Sequence, residues 1–223
     1  MLISCWSAKG GVGTTVVAAG LALVLAAKEP AGAVLVDLAG DVPAVLGLDP
    51  LESAGLAGWL AAGRAVPADA LARLEVAASR GLAVLPRGLG RLDPERAGVL
   101  ATLLERGNRP VVVDCGLVGR PDGPDAPLGA PEVVASAAVP SLLVTRPCYV
   151  ALRRFDGLRP RPSGVVVVRE PGRALGRHDV EGVVGVPVVA EVEADPAVSR
   201  AVDAGLLAAR LPRSLAGALR HAV

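Results

Sequence analysis

Ser7-Ala8-Lys9-Gly10-Gly11-Val12-Gly13-Thr14-Thr15 follows the apolar run Leu2-Ile3-Ser4-Cys5-Trp6 and precedes a long apolar segment, Val16 to Ala27. The order is strand, glycine-rich turn, helix, the context in which such a loop cradles phosphates. Glycines let successive backbone N–H groups point at one oxyanion with no Cβ in the way, and the following helix adds its positive N-terminal end. Thr15 stands where a hydroxyl holds Mg2+ bound to the β- and γ-phosphates of a nucleotide. The usual pattern, G-x-x-x-x-G-K-[ST], asks for glycine at position 8 and lysine at position 14. This chain has Ala8 and Thr14 and carries a lysine at position 9 instead. Lysine is otherwise scarce: Lys9 and Lys28 stand against 21 arginines. An ammonium is a compact point charge where a guanidinium is broad and planar, so a lysine retained in this loop has a chemical meaning.

Outward from the loop, short apolar runs alternate with helical segments. Ala33–Asp37, Leu82–Pro86, Pro110–Asp114, Ser141–Thr145 and Gly164–Val168 read as buried strands. Ser53–Ala62, Ala68–Ala77, Tyr149–Leu158, Asp179–Val184, Pro196–Ala204 and Pro212–Ala222 read as helices. A further helix opens at Asp93-Pro94-Glu95, with Asp as N-cap and Pro at the first helical position, and runs to Arg106. Gly116 to Pro131 reads as a loop. The alternation predicts an α/β fold: a doubly wound, mostly parallel sheet with helices on both faces, in one domain over residues 1–223; with the phosphate loop after its first strand, this is the P-loop NTPase architecture.

In such a sheet ligands gather at the carboxyl ends of the strands. Two runs stop there on an acid, Asp37 and Asp114. Asp114 fits the role of holding Mg2+ through a water, with Thr15 as the other metal-side group. Asp37 either shares that role or faces the attacking water. A lone acid at a strand end is as easily a helix cap; two of them beside a phosphate loop favour the chemical reading.

Composition narrows the remaining classes. Apolar residues make up 52% and aromatics 2%, so the core is built from Val, Leu and Ala, as suits a parallel sheet under helices. Net charge is +1, with no global pull toward nucleic acid or membrane. Between Arg146 and Asp179, however, eight arginines face three acids. That segment leaves DNA binding as a weakly supported option, since no aromatic residues interleave with the charges. Cys5, Cys115 and Cys148 have no metal-like spacing and read as thiols in a reducing cytoplasm. His178 and His221 are too few for a metal site. Val16–Ala27 is shorter than the ~20 residues of a membrane span. The C-terminal segment has apolar residues at 215, 218, 219 and 222 on one helical face without Trp or Phe, which favours a core-packed helix over a membrane anchor.

The loop resembles the deviant P-loop of the MinD/ParA superfamily, K-G-G-x-G-[KT]-[ST], and the threonine at its sixth position is most similar to the CpaE/TadZ branch. The resemblance extends to Val36-Asp37-Leu38 followed by Asp41-Val42-Pro43-Ala44-Val45-Leu46-Gly47-Leu48, to Leu142-Leu143-Val144-Thr145-Arg146-Pro147, to Arg169-Glu170-Pro171-Gly172-Arg173 and to Asp195-Pro196-Ala197-Val198-Ser199-Arg200-Ala201. It implies that ATP and Mg2+ are the cofactors. Lys9, Gly10, Gly11, Val12, Gly13, Thr14 and Thr15 would hold the phosphates, with Arg169 and Pro171 near the base. Lys9, the signature lysine, would reach the phosphates of a partner subunit in a homodimer closed through the nucleotide face. Lys9 and Asp37 would then be the catalytic groups, and Thr15 and Asp114 the metal ligands.

Three departures qualify the chemistry that the resemblance implies. The second acid of D-x-D is Ala39, a position that in the family helps activate water. Thr14 replaces a lysine on the β/γ-phosphates. Arg169 and Glu170 stand where an asparagine usually reads adenine, and Glu193 falls near a usual proline. These departures imply ATP binding with weak or absent hydrolysis. The expected function is a cytoplasmic protein, at a pole or septum, whose nucleotide-linked dimer positions or recruits a pilus, secretion or cell-division assembly. The alternatives are a ParA/MinD-type ATPase cycling on DNA or membrane, and a catalytically silent scaffold.

Overall fold

Eight strands form one sheet in a computed structural model that describes residues 1–49, 54–63, 68–119, 127–155 and 158–223. The strands are β1 (Leu2–Ser7), β2 (Ala33–Asp37), β3 (Val76–Ser79), β4 (Leu82–Leu85), β5 (Val111–Leu117), β6 (Ser141–Thr145), β7 (Gly164–Arg169) and β8 (Val188–Glu193). Their order across the sheet is β3-β4-β2-β5-β1-β6-β7-β8. All neighbours are parallel except β3 and β4, which pair antiparallel. From the central strand β1 the chain winds first to one side and then, from β6 onward, to the other. The crevice at that reversal is where doubly wound sheets bind ligands.

The helices are α1 (Thr14–Lys28), α2 (Val42–Leu46), α3 (Gly55–Ala61), α4 (Ala97–Glu105), α5 (Ala130–Ala137), α6 (Tyr149–Phe155), α7 (Arg177–Val184), α8 (Pro196–Asp203) and α9 (Arg213–Leu219). Period-two alternation along each strand sends side chains to opposite faces. Trp6, Val111, Val113 and Val167 face one layer with Leu60, Leu100, Val134, Phe155 and Val180 from α3, α4, α5, α6 and α7. Ile3, Cys5, Val112 and Val166 face the other, with α1, Leu46 of α2 and Leu215 and Leu219 of α9. Both faces are covered, which is why the central strands are apolar throughout.

Helix α1 is buried at every residue from Val17 to Leu25. Gly20 allows the close approach of α9: a Cβ there would lie 2.9 Å from Leu219 Cδ1 and 3.0 Å from Leu215 Cδ2. The C-terminal segment is therefore a core-packed helix, and Lys28 Nζ donates to the Arg220 carbonyl at 2.9 Å. On the opposite face a buried polar cluster ties β1 to β6: Trp6 Nε1 and Ser4 Oγ donate to Ser141 Oγ at 3.0 and 3.1 Å.

Several expected elements differ. The helix expected over Ala68–Ala77 is two short 3-10 turns, Ala68–Ala70 and Ala72–Leu74, followed by β3. Its Pro67 entry lies outside the described residues, as does the Ser53 start expected for α3. Asp93 caps as expected, accepting from the Glu95 N–H at 2.9 Å, but Pro94–Arg96 form a 3-10 turn before α4. The region expected as loop over 116–131 includes the last two residues of β5 and the first two of α5, with 120–126 outside the described residues. Strand β8 and helix α5 carry no expectation from the sequence. Helix α6 is described over Tyr149–Phe155, and residues 156–157 of the longer helix expected there lie outside the described residues.

Candidate nucleotide-binding site

The phosphate loop leaves β1 at its carboxyl end and enters α1 through two left-handed glycines, Gly11 at φ 74° and Gly13 at φ 97°. Gly13 is the N-cap of α1, yet no side chain caps the helix and no acid occupies its first turn. Its leading amides are thus left for an outside acceptor, in the field of the helix's positive end. A Cβ on Gly10 or Gly11 would meet nothing within 4 Å, so the loop faces open space. That space is a cavity of about 470 Å3 lined by Gly10, Gly11, Gly13, Thr14, Thr15, Ala39, Asp41, Arg87 and Gly116, among others.

The two strand-end acids stand side by side in the β2–β5 register, Asp37 opposite Asp114, and both are almost fully buried. Asp37 Oδ1 accepts from the Gly40 N–H at 2.6 Å. Burial pushes its pKa up, and the amides of Gly40 and Val42 pull against that shift. Asp114 Oδ1 accepts from the Gly116 N–H at 3.0 Å, while Oδ2 has no hydrogen-bond partner. Burial raises the Asp114 pKa to about 6; the nearby Thr15 hydroxyl opposes the rise, and the charges of Asp37 and Asp41 add to it. Although Thr15 is close enough to influence the acid, it makes no hydrogen bond of ordinary geometry to Oδ2.

A buried carboxylate oxygen without a partner, beside a threonine hydroxyl and a bare helix N-terminus, suits a hydrated Mg2+ carrying a polyphosphate. Mg2+ keeps several waters and takes one or two protein oxygens together with phosphates. Among the described residues no group of three or more His, Cys, Asp or Glu is arranged to hold a metal. The Thr15 hydroxyl and the unpartnered Asp114 Oδ2 supply the one or two protein oxygens that such a metal takes.

The other residues singled out in the sequence sit around this centre unevenly. Thr14 is buried, and Thr15 lines the cavity. Lys9 is absent from the cavity lining, and its charge acts on Glu170. Arg169 reaches Glu191 at 3.0 Å and Glu193 at 3.6 Å. Neither Arg169 nor Pro171 lines the cavity, although the end of β7 abuts the loop: a Cβ on Gly13 would lie 3.9 Å from Val168 Cγ2. Cys5 and Cys115 are buried, and burial pushes both thiols well above their usual range. Four of the eight arginines between 146 and 179 are ion-paired: Arg146 and Arg173 to Glu170, Arg169 to Glu191 and Glu193, and Arg177 to Glu181.

Two further cavity residues matter: Asp41, which the sequence places in the motif after Asp37 without a role, and Arg87, which the sequence reading missed. Asp41 lines the cavity two positions beyond Ala39, and Arg87 arrives from the turn after β4. Arg87 Nη1 donates to the Leu38 carbonyl, 49 residues away, at 2.7 Å. Nothing in the sequence near Arg87 distinguishes it from the other twenty arginines.

Comparison with known proteins adds the architecture. No family model matches the chain, and no curated protein does. Among solved structures, a ParA family ATPase from Chlorobium tepidum TLS superposes with a TM-score of 0.78 at 20% identity, over 98% of this chain and 95% of that one. The fold is that of the MinD/ParA ATPases. MinD in a MinC:MinD cell division complex from Aquifex aeolicus gives a TM-score of 0.77 at 21% identity, over 99% of this chain and 93% of that one. The septum site-determining protein MinD from Pyrococcus horikoshii OT3, complexed with Mg-ADP, gives 0.75 at 20% identity, over 99% and 93%. At these identities the likeness to MinD and ParA carries the fold: an eight-stranded, mostly parallel sheet wrapped by helices.

Proposed function

We propose that this chain binds ATP with Mg2+ and uses the bound nucleotide to close a homodimer that positions or recruits a pilus, secretion or cell-division assembly, with weak or absent hydrolysis. The observation that carries the binding step is the uncapped N-terminus of α1, framed by Gly11 and Gly13, beside the unpartnered Oδ2 of Asp114. The loop amides and the helix end bind the phosphates, Thr15 and Asp114 orient the hydrated metal, and Asp37 keeps Asp114 company in the same buried edge. The bound metal neutralises phosphate charge. Hydrolysis is weak because Ala39 offers no carboxylate to orient a water and Thr14 offers no charge to the terminal phosphate. That Lys9 does not line its own subunit's cavity supports its action across the dimer.

The pairing of half the basic segment with glutamates weakens the DNA reading. Among the described residues no helix is long and apolar enough to cross a membrane.

Titration calorimetry with ATP, ADP and GTP in the presence of Mg2+, alongside light scattering for mass, tests the reading. The expected result is binding of ATP and ADP, with a doubling of mass under ATP alone. A chain that binds no nucleoside di- or triphosphate would overturn it.

A further inference from the structure

Among the described residues one cationic side chain lines the cavity beside the phosphate loop, and it belongs to none of the recognised motifs. It is Arg87. The loop itself is poor in charge on this side: position 14, where P-loops carry a lysine, holds a buried threonine, and Lys9 is not part of the lining. Arg87 shares the wall with Leu38, Ala39, Asp41 and Gly116, the residues at the carboxyl ends of β2 and β5. Gly13, Thr14 and Thr15, where the phosphate loop enters α1, line the same cavity. On the binding reading, the phosphates would lie on the amides of that loop with the metal at Asp114, in the cavity that Arg87 also lines.

The side chain is also held in place. Nη1 donates to the Leu38 carbonyl at 2.7 Å, and Nη2 approaches the Gly90 carbonyl at 3.5 Å. Gly40 leaves room for the stem, since a Cβ there would lie 3.3 Å from Arg87 Cδ. A guanidinium has five N–H donors in a fixed fork, so anchoring two of them still leaves donors for a phosphate oxygen.

We infer that Arg87 supplies, within its own subunit, the positive charge on the terminal phosphate that Thr14 no longer provides, and so makes the site prefer a triphosphate to a diphosphate. The inference rests on the nucleotide-binding reading above. An arginine that merely staples the turn after β4 to the turn after β2 would affect ATP and ADP alike.

The test is calorimetry of the full chain with MgATP and MgADP, comparing wild type with Arg87→Gln, Arg87→Lys and the double variant Arg87→Gln/Thr14→Lys. Gln keeps a polar side chain without the charge, and melting curves confirm that each variant is folded. A charge-assisted hydrogen bond corresponds to roughly a tenfold to hundredfold change in affinity. Arg87→Gln should therefore weaken MgATP by at least about tenfold while MgADP moves little, Arg87→Lys should fall between, and Thr14→Lys should restore MgATP binding in the double variant. Parallel loss of both nucleotides, no loss of either, or no rescue by Thr14→Lys would overturn the inference. If wild type binds neither nucleotide, the binding reading itself fails; if wild type binds both and Arg87→Gln leaves their ratio unchanged, only the role of Arg87 fails.

Discussion

Gly116 and Ala39 touch across the floor of the cavity: a Cβ on the glycine would lie 2.8 Å from that of the alanine. Gly116 also holds φ at 63°, gives its N–H to Asp114 Oδ1 and accepts from Ser7 Oγ at 3.3 Å. The two strand-end turns that follow Asp37 and Asp114 are therefore fitted to each other. Gly116→Ala combines a left-handed backbone strain with a contact too short to keep, and should cost about 1–3 kcal/mol in urea unfolding. An unchanged midpoint would show that the two turns part freely.

The same contact places position 39 in the lining of the cavity. Ala39→Asp should raise steady phosphate release by about tenfold or more, the scale of a positioned carboxylate. Asp41→Asn in the wild-type background separates the neighbouring acid, which already lines the cavity. If Ala39→Asp releases phosphate no faster than wild type, the vacancy at 39 is not what limits turnover.

The acid pair makes a prediction about pH. The folded chain holds the Asp114 carboxyl at about 6, above its ordinary value of 3.8, so the folded state binds this proton more tightly than the unfolded state. The contribution is full below the unfolded pKa and is lost as pH rises through the folded one, so nucleotide-free protein should lose stability between about pH 4 and pH 6. The loss is on the order of 2–3 kcal/mol. Asp114→Asn removes this charge: it should flatten that slope and stabilise the nucleotide-free chain at pH 7, while abolishing the Mg2+ dependence of nucleotide binding. Denaturant midpoints across pH check the first result and calorimetry with and without Mg2+ the second.

Lys9 lies outside the lining of its own cavity. Lys9→Ala should leave MgADP affinity within about threefold of wild type yet abolish the ATP-dependent doubling of mass in light scattering, as removal of a charge acting across an interface would. A variant that still dimerises under ATP would place the closing contact elsewhere.

Leu219 is fully buried against α1. Leu219→Ala should cost about 2–5 kcal/mol in equilibrium unfolding, the range for a large core aliphatic cut to a methyl. A loss under about 0.5 kcal/mol, typical of surface changes, would mean that α9 contributes little to the core.

The central strands were legible because they are buried on both faces, and Val34–Val36 and Val111–Val113 leave no polar alternation to confuse them. The edges were not. Val76–Ser79 is half-exposed, follows an Ala/Leu-rich stretch that looks helical, and becomes a strand only because β4 pairs with it across Arg80-Gly81, with Gly81 at φ 81°. Strand β8 ends in alternating Glu and Val, an edge pattern too short to stand out alone. The phosphate loop and the two acids could be read because each lies within a few residues of its own signal. Arg87 could not, because its meaning depends on the Leu38 carbonyl, a neighbour only after folding.

Helix α1 begins at the phosphate loop and is clasped at Gly20 by the two leucines of α9. A glycine at that crossing lets the two rods mesh with no side chain of the first between them. Lys28, at the far end of the first rod, holds the Arg220 carbonyl, so a dye attached near residue 220 should register any shift of that rod when nucleotide is added.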